Sequence, residues 1–151
     1  MKVWQLIAAL PLLAGAASTP VDFWSAGDIK QTAAGLTSAA ETKGVEGKTL
    51  STFGSNSTAI WRRAKSGEAE LHKAKTDLLV IEEGEATLLY GGTIPDARNT
   101  SAVEIRGSSI TGGTSRKLSP GDVVRIPPNT PHQFILAKGK TVSYFAVKIA
   151  R

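Results

Sequence analysis

The sequence predicts an all-β domain, either a sandwich or a small barrel, with a short N-terminal helix before it. Short apolar and β-branched runs recur from residue 49 to residue 149, and clusters of Gly, Pro, Asn and Ser separate them. The length of 151 residues indicates one domain, and the composition is that of an ordinary globular protein. The predicted strands cover residues 49–53, 58–63, 68–73, 77–82, 86–90, 103–105, 123–126, 132–136 and 142–149.

Residues 1–17 have the pattern of a secretory signal peptide. Lys2 supplies a positive start, residues 3–13 are apolar, and residues 14–17 are small residues suited to cleavage. The stretch is too short for a spanning helix with normal flanks, so we expect no stable membrane insertion. An uncleaved anchor and a buried strand are the alternatives. Cleavage predicts a secreted or periplasmic protein.

Residues 18–47 are predicted to form an arm and a helix. Ser25 is a candidate N-cap, and Asp28 three residues later makes an imperfect capping box. Gly35 weakens the helix, and residues 44–47 end it. The apolar residues at helical spacing are Ile29, Ala33, Leu36 and Ala40. This thin apolar face predicts a helix that lies on the outside of the β-domain, which occupies residues 48–151.

The composition excludes several classes of function. The chain has no cysteine, which excludes disulfides, thiolate catalysis and cysteine-rich zinc sites. The net charge of +5 is modest, the basic residues are scattered among acidic ones, and aromatic residues are few, so we expect no nucleic-acid partner. The glycine-rich stretch 107–113 lacks a phosphate-binding pattern.

A buried strand, a rigid turn and a histidine follow one another between residues 121 and 134. Val123, Val124 and Ile126 form a short apolar run, which predicts a strand deep in the β-core. Residues 127–131 contain three prolines and cannot continue a sheet, because proline lacks the amide donor. His132 then opens the next strand. A turn that delivers a histidine onto an inward-facing strand is well suited to placing a metal ligand.

The spacing of this segment resembles the second sequence motif of the cupin family. That motif has glycine, five residues, proline, one residue, glycine, two residues and histidine, and Gly121, Pro127 and His132 match it. Asn129 replaces the second glycine, a mild departure because asparagine also tolerates positive φ. Leu136 stands where the motif often ends with asparagine.

The first cupin motif is matched upstream in a modified form. The family pattern is histidine, one residue, histidine, three or four residues, glutamate, six residues and glycine. Counting back from Gly84 gives Asp77 at the acid, His72 at the second histidine and Glu70 at the first. Glutamate thus replaces one histidine, and aspartate replaces the glutamate.

A rival register for the first motif begins at His72 and is rejected. It places Ala74 at the second histidine and Leu78 or Leu79 at the acid, so it retains neither ligand. In the accepted register, the only two histidines of the chain, His72 and His132, both fall on ligand positions of the family.

The cupin resemblance covers about residues 48 to 149. It implies a double-stranded β-helix, or jelly-roll, barrel that holds a metal inside its mouth, and frequent dimerisation through sheet edges, so a homodimer is expected. The implied metal ligands are Glu70, His72, Asp77 and His132. Imidazoles and carboxylates suit one divalent transition metal, and Mn, Fe, Zn and Ni all remain open.

Two hypotheses of function follow from the resemblance. The first is a secreted, metal-dependent enzyme that acts on a small oxygenated molecule, of oxygenase, isomerase or lyase type. The second is a non-enzymatic protein that binds a small ligand or carbohydrate and has a degenerate metal site. Glu70 in place of a histidine favours the second, whereas the two histidines with Asp77 favour the first.

The candidate residues also have other interpretations. Either histidine could be a hydrogen-bonded core residue, and Glu70 or Asp77 could be solvated or pair with Lys73 or Lys75. If they lie in an apolar pocket, the two carboxylates are expected to have raised pKa values and could act as a general base.

Two tyrosines are further candidates for proton transfer. Tyr90 and Tyr144 could donate protons, although positions in the core or at the rim are favoured for both.

Overall fold

Two antiparallel β-sheets face each other across a cavity, and two short helices pack outside one of them. The computed structural model describes residues 21–150, so the predicted signal peptide lies outside the described residues. The helices are α1 (Ala26–Gly35) and α2 (Thr37–Lys43). The strands are β1 (Val45–Phe53), β2 (Asn56–Arg63), β3 (Ala69–His72), β4 (Lys75–Gly84), β5 (Ala86–Tyr90), β6 (Arg98–Ser101), β7 (Glu104–Gly107), β8 (Thr114–Leu118), β9 (Val123–Ile126), β10 (His132–Ile135) and β11 (Val142–Ala150).

The sheet topology brings distant segments of the chain together. One sheet has the order β1-β2-β11-β4-β9, and the other has the order β6-β7-β3-β10-β5-β8. All the strand pairs are antiparallel. Strand β10 inserts between β3 and β5, and β11 inserts between β2 and β4. The prediction of an all-β domain with a short N-terminal helix is confirmed.

The N-terminal helix is capped as predicted but has a break. The Asp28 amide donates to Ser25 Oγ at 3.1 Å, and the Ser25 amide donates to Asp28 Oδ2 at 2.9 Å, which completes the capping box. The chain breaks at Leu36 into α1 and α2, and Gly44 ends α2 with a φ of 93°. Neither helix among residues 21–150 is long and apolar enough to cross a membrane.

The helices pack against the outer face of the first sheet, as the sequence predicted. The outer core consists of Ile29, Ala33 and Ile60, with Trp24, Leu36, Leu50 and Phe145 packed against it. Ile60 belongs to this outer core and Phe145 packs against it. The adjacent residues Trp61 and Tyr144 line the cavity on the other side of the sheet. This alternation is the period of two that a strand imposes on its side chains.

A second, larger core closes one end of the space between the sheets. It comprises Leu79, Ile81, Ala86, Leu88, Leu118, Ile126, Phe134, Val142, Tyr144 and Ala146. The sheets supply residues to this core from both sides, so their facing surfaces are packed here and open into the cavity elsewhere.

Three strands differ from the sequence prediction, and all three lie at sheet edges. Strands β6 and β8 lie outside the predicted strand ranges. Both are almost wholly exposed, so they lack the apolar alternation that marks a strand. The expectation that β9 lies deep in the core is wrong, because β9 forms a sheet edge and Val123 is 64% exposed.

Two turn positions have the backbone that the motif spacing requires. Asn129, in place of a glycine, has a φ of 60°, a conformation that asparagine tolerates. Gly84 has a φ of 78°, and a Cβ at this position would lie 2.0 Å from the Thr141 carbonyl oxygen. Gly121 has a φ of 90° but open space around it.

Gly84 and Gly121 therefore form a matched pair for a stability test. We expect Gly84→Ala to lower the free energy of unfolding by about 3 kcal/mol or more, because strain at positive φ adds to a backbone clash. Gly121→Ala has the strain without the clash, and we expect a loss of about 1 kcal/mol. Urea unfolding followed by circular dichroism measures both, and equal losses would contradict this account.

Candidate metal centre

Three candidate ligands lie on two neighbouring strands. Glu70 and His72 are on β3, and His132 is the first residue of β10. The two strands pair antiparallel with His132 opposite Glu70. Residues two apart share a face of a strand, and directly opposed residues share it too, so the three side chains converge. All three line the cavity.

These three residues, the triad hereafter, have the geometry of a ligand set. Each offers one ligand atom, and the three atoms lie within 4.8 Å of one another. The two imidazole rings have centroids 5.2 Å apart. The exposed fraction is 8% for His72 and 4% for His132, so water does not compete freely for either ring.

Hydrogen bonds orient both imidazoles with the same nitrogen toward the cavity. His132 Nδ1 donates to the Thr130 carbonyl at 3.0 Å, and His72 Nδ1 donates to the Glu104 carboxylate. In each neutral ring, Nε2 is then the nitrogen with a free lone pair. A carbonyl or carboxylate behind the ring is the usual partner of a metal-binding histidine, because it fixes the tautomer and raises basicity.

The fourth predicted ligand, Asp77, lies beside the triad. It is the third residue of β4, and its Oδ2 atom is 3.2 Å from His72 Nε2 and 3.9 Å from His132 Nε2. Lys148 Nζ contacts both Asp77 oxygens, at 2.9 and 3.2 Å, and lies 3.0 Å from His72 Nε2. Asp77 therefore holds a lysine against the triad. The metal role of all four residues remains a prediction.

Glu70 is held by two arginines rather than by a lysine. Arg63 Nη2 lies 3.1 Å from Glu70 Oε1, and Arg106 Nη2 lies 3.3 Å from Glu70 Oε2. Arg63 is itself oriented by Tyr144, whose hydroxyl accepts from Arg63 Nε at 2.9 Å. The sequence-based alternative that the carboxylates pair with Lys73 or Lys75 is thus replaced by Arg63, Arg106 and Lys148.

These cations reverse the expected pKa shifts of the two carboxylates. Burial raises the pKa of Glu70, but the charges of Arg63 and Arg106 outweigh it, so the pKa is lowered. Burial likewise raises the pKa of Asp77, but the hydrogen bond with His72 and the charge of Lys148 lower it to about 2. The expectation of raised pKa values is wrong, because these carboxylates lie among cations.

The two histidines differ in their electrostatic surroundings. Burial lowers the pKa of His132 more than its bond to Thr130 raises it, so this ring is neutral at neutral pH. Burial lowers the pKa of His72, and the charge of Lys148 lowers it as well. The Asp77 and Glu104 carboxylates raise this pKa by more, so the net shift is upward. A proton therefore competes with a metal more strongly at His72 than at His132.

The cavity around the triad measures about 540 Å³, large enough for a small organic molecule. Its floor is apolar, with Phe134 and Tyr144 stacked at a centroid distance of 5.0 Å. Tyr144 lines the cavity, as one of the proton-transfer interpretations requires. Tyr90 packs against the larger core instead.

Sequence reasoning missed four charged residues of the site: Arg63, Glu104, Arg106 and Lys148. A signal for two of them lies in strand periodicity. Lys148 follows Tyr144 and Ala146 on one face of β11, and Arg63 follows Trp61 on one face of β2. A charged residue that continues a buried alternation indicates an inward-facing charge, which needs a partner.

Comparisons with known proteins agree with this architecture. No family model and no curated protein matches this sequence. The solved structure of a cupin-2 domain protein from Rhodospirillum rubrum is 14% identical over 72% of this chain and 61% of its own, with a TM-score of 0.52. The chain has the cupin fold.

Two further solved structures share this fold. KdgF from Halomonas sp. is 14% identical over 72% of this chain and 82% of its own, with a TM-score of 0.51. The polyketide cyclase RemF from Streptomyces resistomycificus is 18% identical over 70% of this chain and 65% of its own, with a TM-score of 0.51. The chain spans less than two thirds of the Rhodospirillum and RemF chains.

The residues of this cupin-fold site fit a divalent transition metal. Two imidazole nitrogens and one carboxylate oxygen are the donor set of mononuclear sites that keep open positions. One contact opposes binding in the described geometry, since Lys148 Nζ and a metal need the same lone pair of His72. Lys148 is 28% exposed and can turn toward the cavity while it remains near Asp77.

Asp77 gives a pH-dependent stability test in metal-free protein. Because folding lowers its pKa from 3.8 to about 2, it contributes about 2 kcal/mol of stability above pH 4. This contribution disappears as the pH falls toward 2. We therefore expect Asp77→Asn to be less stable than wild type at pH 6 and to approach it at pH 2, as measured by urea unfolding. A difference that does not change with pH would contradict the ion pair with Lys148.

Proposed function

We propose that this chain is a metal-dependent enzyme that acts on a small oxygenated molecule, by an oxygenase, isomerase or lyase type of reaction. One observation carries the proposal: both histidines bond a group behind the ring through Nδ1, and one ligand atom of each lies within 4.8 Å of a carboxylate oxygen of Glu70. Such an arrangement of two buried rings, each tied down through Nδ1, is hard to explain by packing alone. Similarity in fold to a polyketide cyclase agrees with enzyme activity.

In this proposal Glu70, His72 and His132 hold the metal. Bound there, a divalent transition metal would polarise an oxygen atom of the substrate or acidify a water molecule. Thr130 and Glu104 would keep the two imidazoles oriented, and Arg63 and Arg106 would keep Glu70 ionised. The donor set suits Mn, Fe, Zn and Ni alike.

The remaining polar residues would bind substrate and handle protons. Asp77 has too low a pKa to be an effective base near neutral pH, so its proposed role is to hold Lys148. Lys148 and Tyr144 line the cavity and could donate a hydrogen bond or proton to a substrate oxygen. Phe134, Leu79 and Ala146 would exclude water around the reacting atoms.

The metal content of purified protein tests the proposal. We expect close to one equivalent of Mn, Fe, Zn or Ni per chain, expressed without a histidine tag, by mass spectrometry of the metal. His132→Ala should lose it, because one of three protein ligands is gone. Glu70→Gln should lower the metal affinity at least tenfold, since the amide keeps the shape of the carboxylate but lacks its charge.

Gln133 provides the matched control. It is the buried neighbour of His132, but its side chain donates to the Gly67 and Ser108 carbonyls. Gln133→Ala should therefore keep the metal although it also removes a buried polar side chain. A folded wild type that takes up no metal after supplementation contradicts the proposal, as does equal loss in the Gln133 and His132 variants.

The second candidate is a protein that binds a small ligand or carbohydrate without a metal. It is favoured by the ionic contacts of the site, in which Arg63, Arg106 and Lys148 contact Glu70, Asp77 or Glu104. Such contacts satisfy the three carboxylates in the chain itself. A folded, metal-free wild type that binds ligand in the cavity would support this candidate.

We also propose export and self-association. Cleavage of residues 1–17 would leave an arm and helix at residues 18–47 and the barrel at residues 48–151, in a secreted or periplasmic protein. Expression in a secreting host should yield a released protein whose intact mass is that of a chain beginning near Ser18. Light scattering should give twice the mass of one chain. Retention of residue 1 in the released protein would contradict cleavage, and a single chain mass would contradict the homodimer.

A further inference from the structure

We propose that the cavity takes a small carboxylic acid and that Arg106 and Lys148 bind its carboxylate. The inference rests on the proposed small-molecule function and assigns its substrate class. It is carried by the cationic character of the cavity, by unused donors on Arg106, and by the Lys148 ammonium, which a metal would displace from His72.

The cavity wall has more cations than anions. Six cationic side chains line it, against the four carboxylates of Glu68, Glu70, Asp77 and Glu104. The six are Lys43, Arg63, Lys65, Lys75, Arg106 and Lys148. A ligand that enters from solvent therefore meets a net positive surface, which attracts anions and raises their local concentration.

The charges nearest the triad balance one another before any metal is added. Arg63 and Arg106 contact Glu70, Arg106 also contacts Glu104 at 2.9 Å, and Lys148 contacts Asp77. These are three cations and three carboxylates. A divalent metal would add two positive charges to a largely buried set. Uncompensated buried charge is costly, so the loaded site favours an anionic ligand.

Arg106 has donors left for such a ligand. Its contacts with Glu70 and Glu104 both use Nη2, and within residues 21–150 Nη1 and Nε form no hydrogen bond. The side chain is 34% exposed and lines the cavity, so these N–H groups are accessible. Each of these N–H groups can donate a charge-assisted hydrogen bond to a carboxylate oxygen, which is stronger than the bond to a neutral amide oxygen.

Lys148 becomes available when a metal is present. Its ammonium lies 3.0 Å from His72 Nε2, the lone pair that the metal would take. A metal at that atom would displace the ammonium, while Asp77 keeps it at the site. The displaced ammonium would then direct a donor toward a ligand anion beside the metal. Arg63 is excluded from this role because its side chain, bonded to Tyr144 and Glu70, is only 10% exposed.

Pairs of acids and amides of equal size test the inference. We would titrate acetate, oxalate, malonate and succinate, each beside acetamide, oxamide, malonamide or succinamide, into metal-free and Zn²⁺-loaded protein at constant ionic strength. We expect at least one acid to bind at least tenfold more tightly than its amide, with further tightening in the Zn²⁺-loaded protein, by calorimetry.

Variants separate specific binding from general attraction. Lys148→Met and Arg106→Met should each weaken binding of the acid at least tenfold, and Lys148→Arg should restore that binding. Lys140→Met is the control, because Lys140 pairs with Glu85 outside the cavity and should bind the acid like wild type. Circular dichroism checks the fold of each variant, and Arg106→Met tests the inference even if Lys148→Met fails to fold.

The outcomes distinguish this inference from the proposed metal function. No preference for any acid over its amide, or wild-type binding in both Met variants, overturns the carboxylate site. Acid binding that depends on Lys148 and Arg106 in a protein that takes up no Zn²⁺ supports the carboxylate site and removes the metal from it.

Discussion

The antiparallel pairing of β10 with β3 is the interaction on which the candidate site depends. It places His132 opposite Glu70, although 62 positions of sequence numbering separate them. A shift of one residue in this register would turn His132 to the other face of the sheet. The register is fixed by the proline-rich turn before β10, where the Asn129 amide donates to the His72 carbonyl at 2.8 Å. The turn thus binds directly to the strand that carries the other two triad residues.

Charge compensation is the second constraint on the site. Buried carboxylates would bind protons if they lay in an apolar environment, but Arg63, Arg106 and Lys148 keep Glu70 and Asp77 ionised. The same cations weaken the carboxylates as bases, and Lys148 also contacts His72 Nε2. The chemistry of the cavity is therefore set as much by its arginines and lysine as by its candidate ligands.

Strands that carry apolar residues were predictable from sequence, including the edge strands β1 and β9, whereas the polar edge strands β6 and β8 were not. Strand β5 begins with an alternation of buried and half-buried residues, and strand β10 follows the proline-rich turn. The positions of both strands therefore follow from the local sequence. Strands β6 and β8 are exposed and polar, and they are strands only because β7 and β5 offer hydrogen-bonding edges. No local pattern encodes that contact.

The same division applies to the site. The spacing of Gly121, Pro127 and His132 indicated a histidine on an inward-facing strand, and the chain brings it to His72 and Glu70. The partners of those residues come from β2, β7 and β11. Strand periodicity marks Arg63 and Lys148 as inward-facing, but it does not say which carboxylate each will contact. Pairing across sheets is a property of the tertiary fold.

The contact between Lys148 and Asp77 also bears on the order of events in the life of the chain. In some small domains a bound metal compensates the charge of its ligands, so folding and metal binding are coupled. Here Lys148, on the last strand, supplies a positive charge beside the Asp77 carboxylate without a metal. Folding can then be completed by the polypeptide alone once β11 joins the sheet, and a metal that binds as proposed would be loaded in a later and separate step.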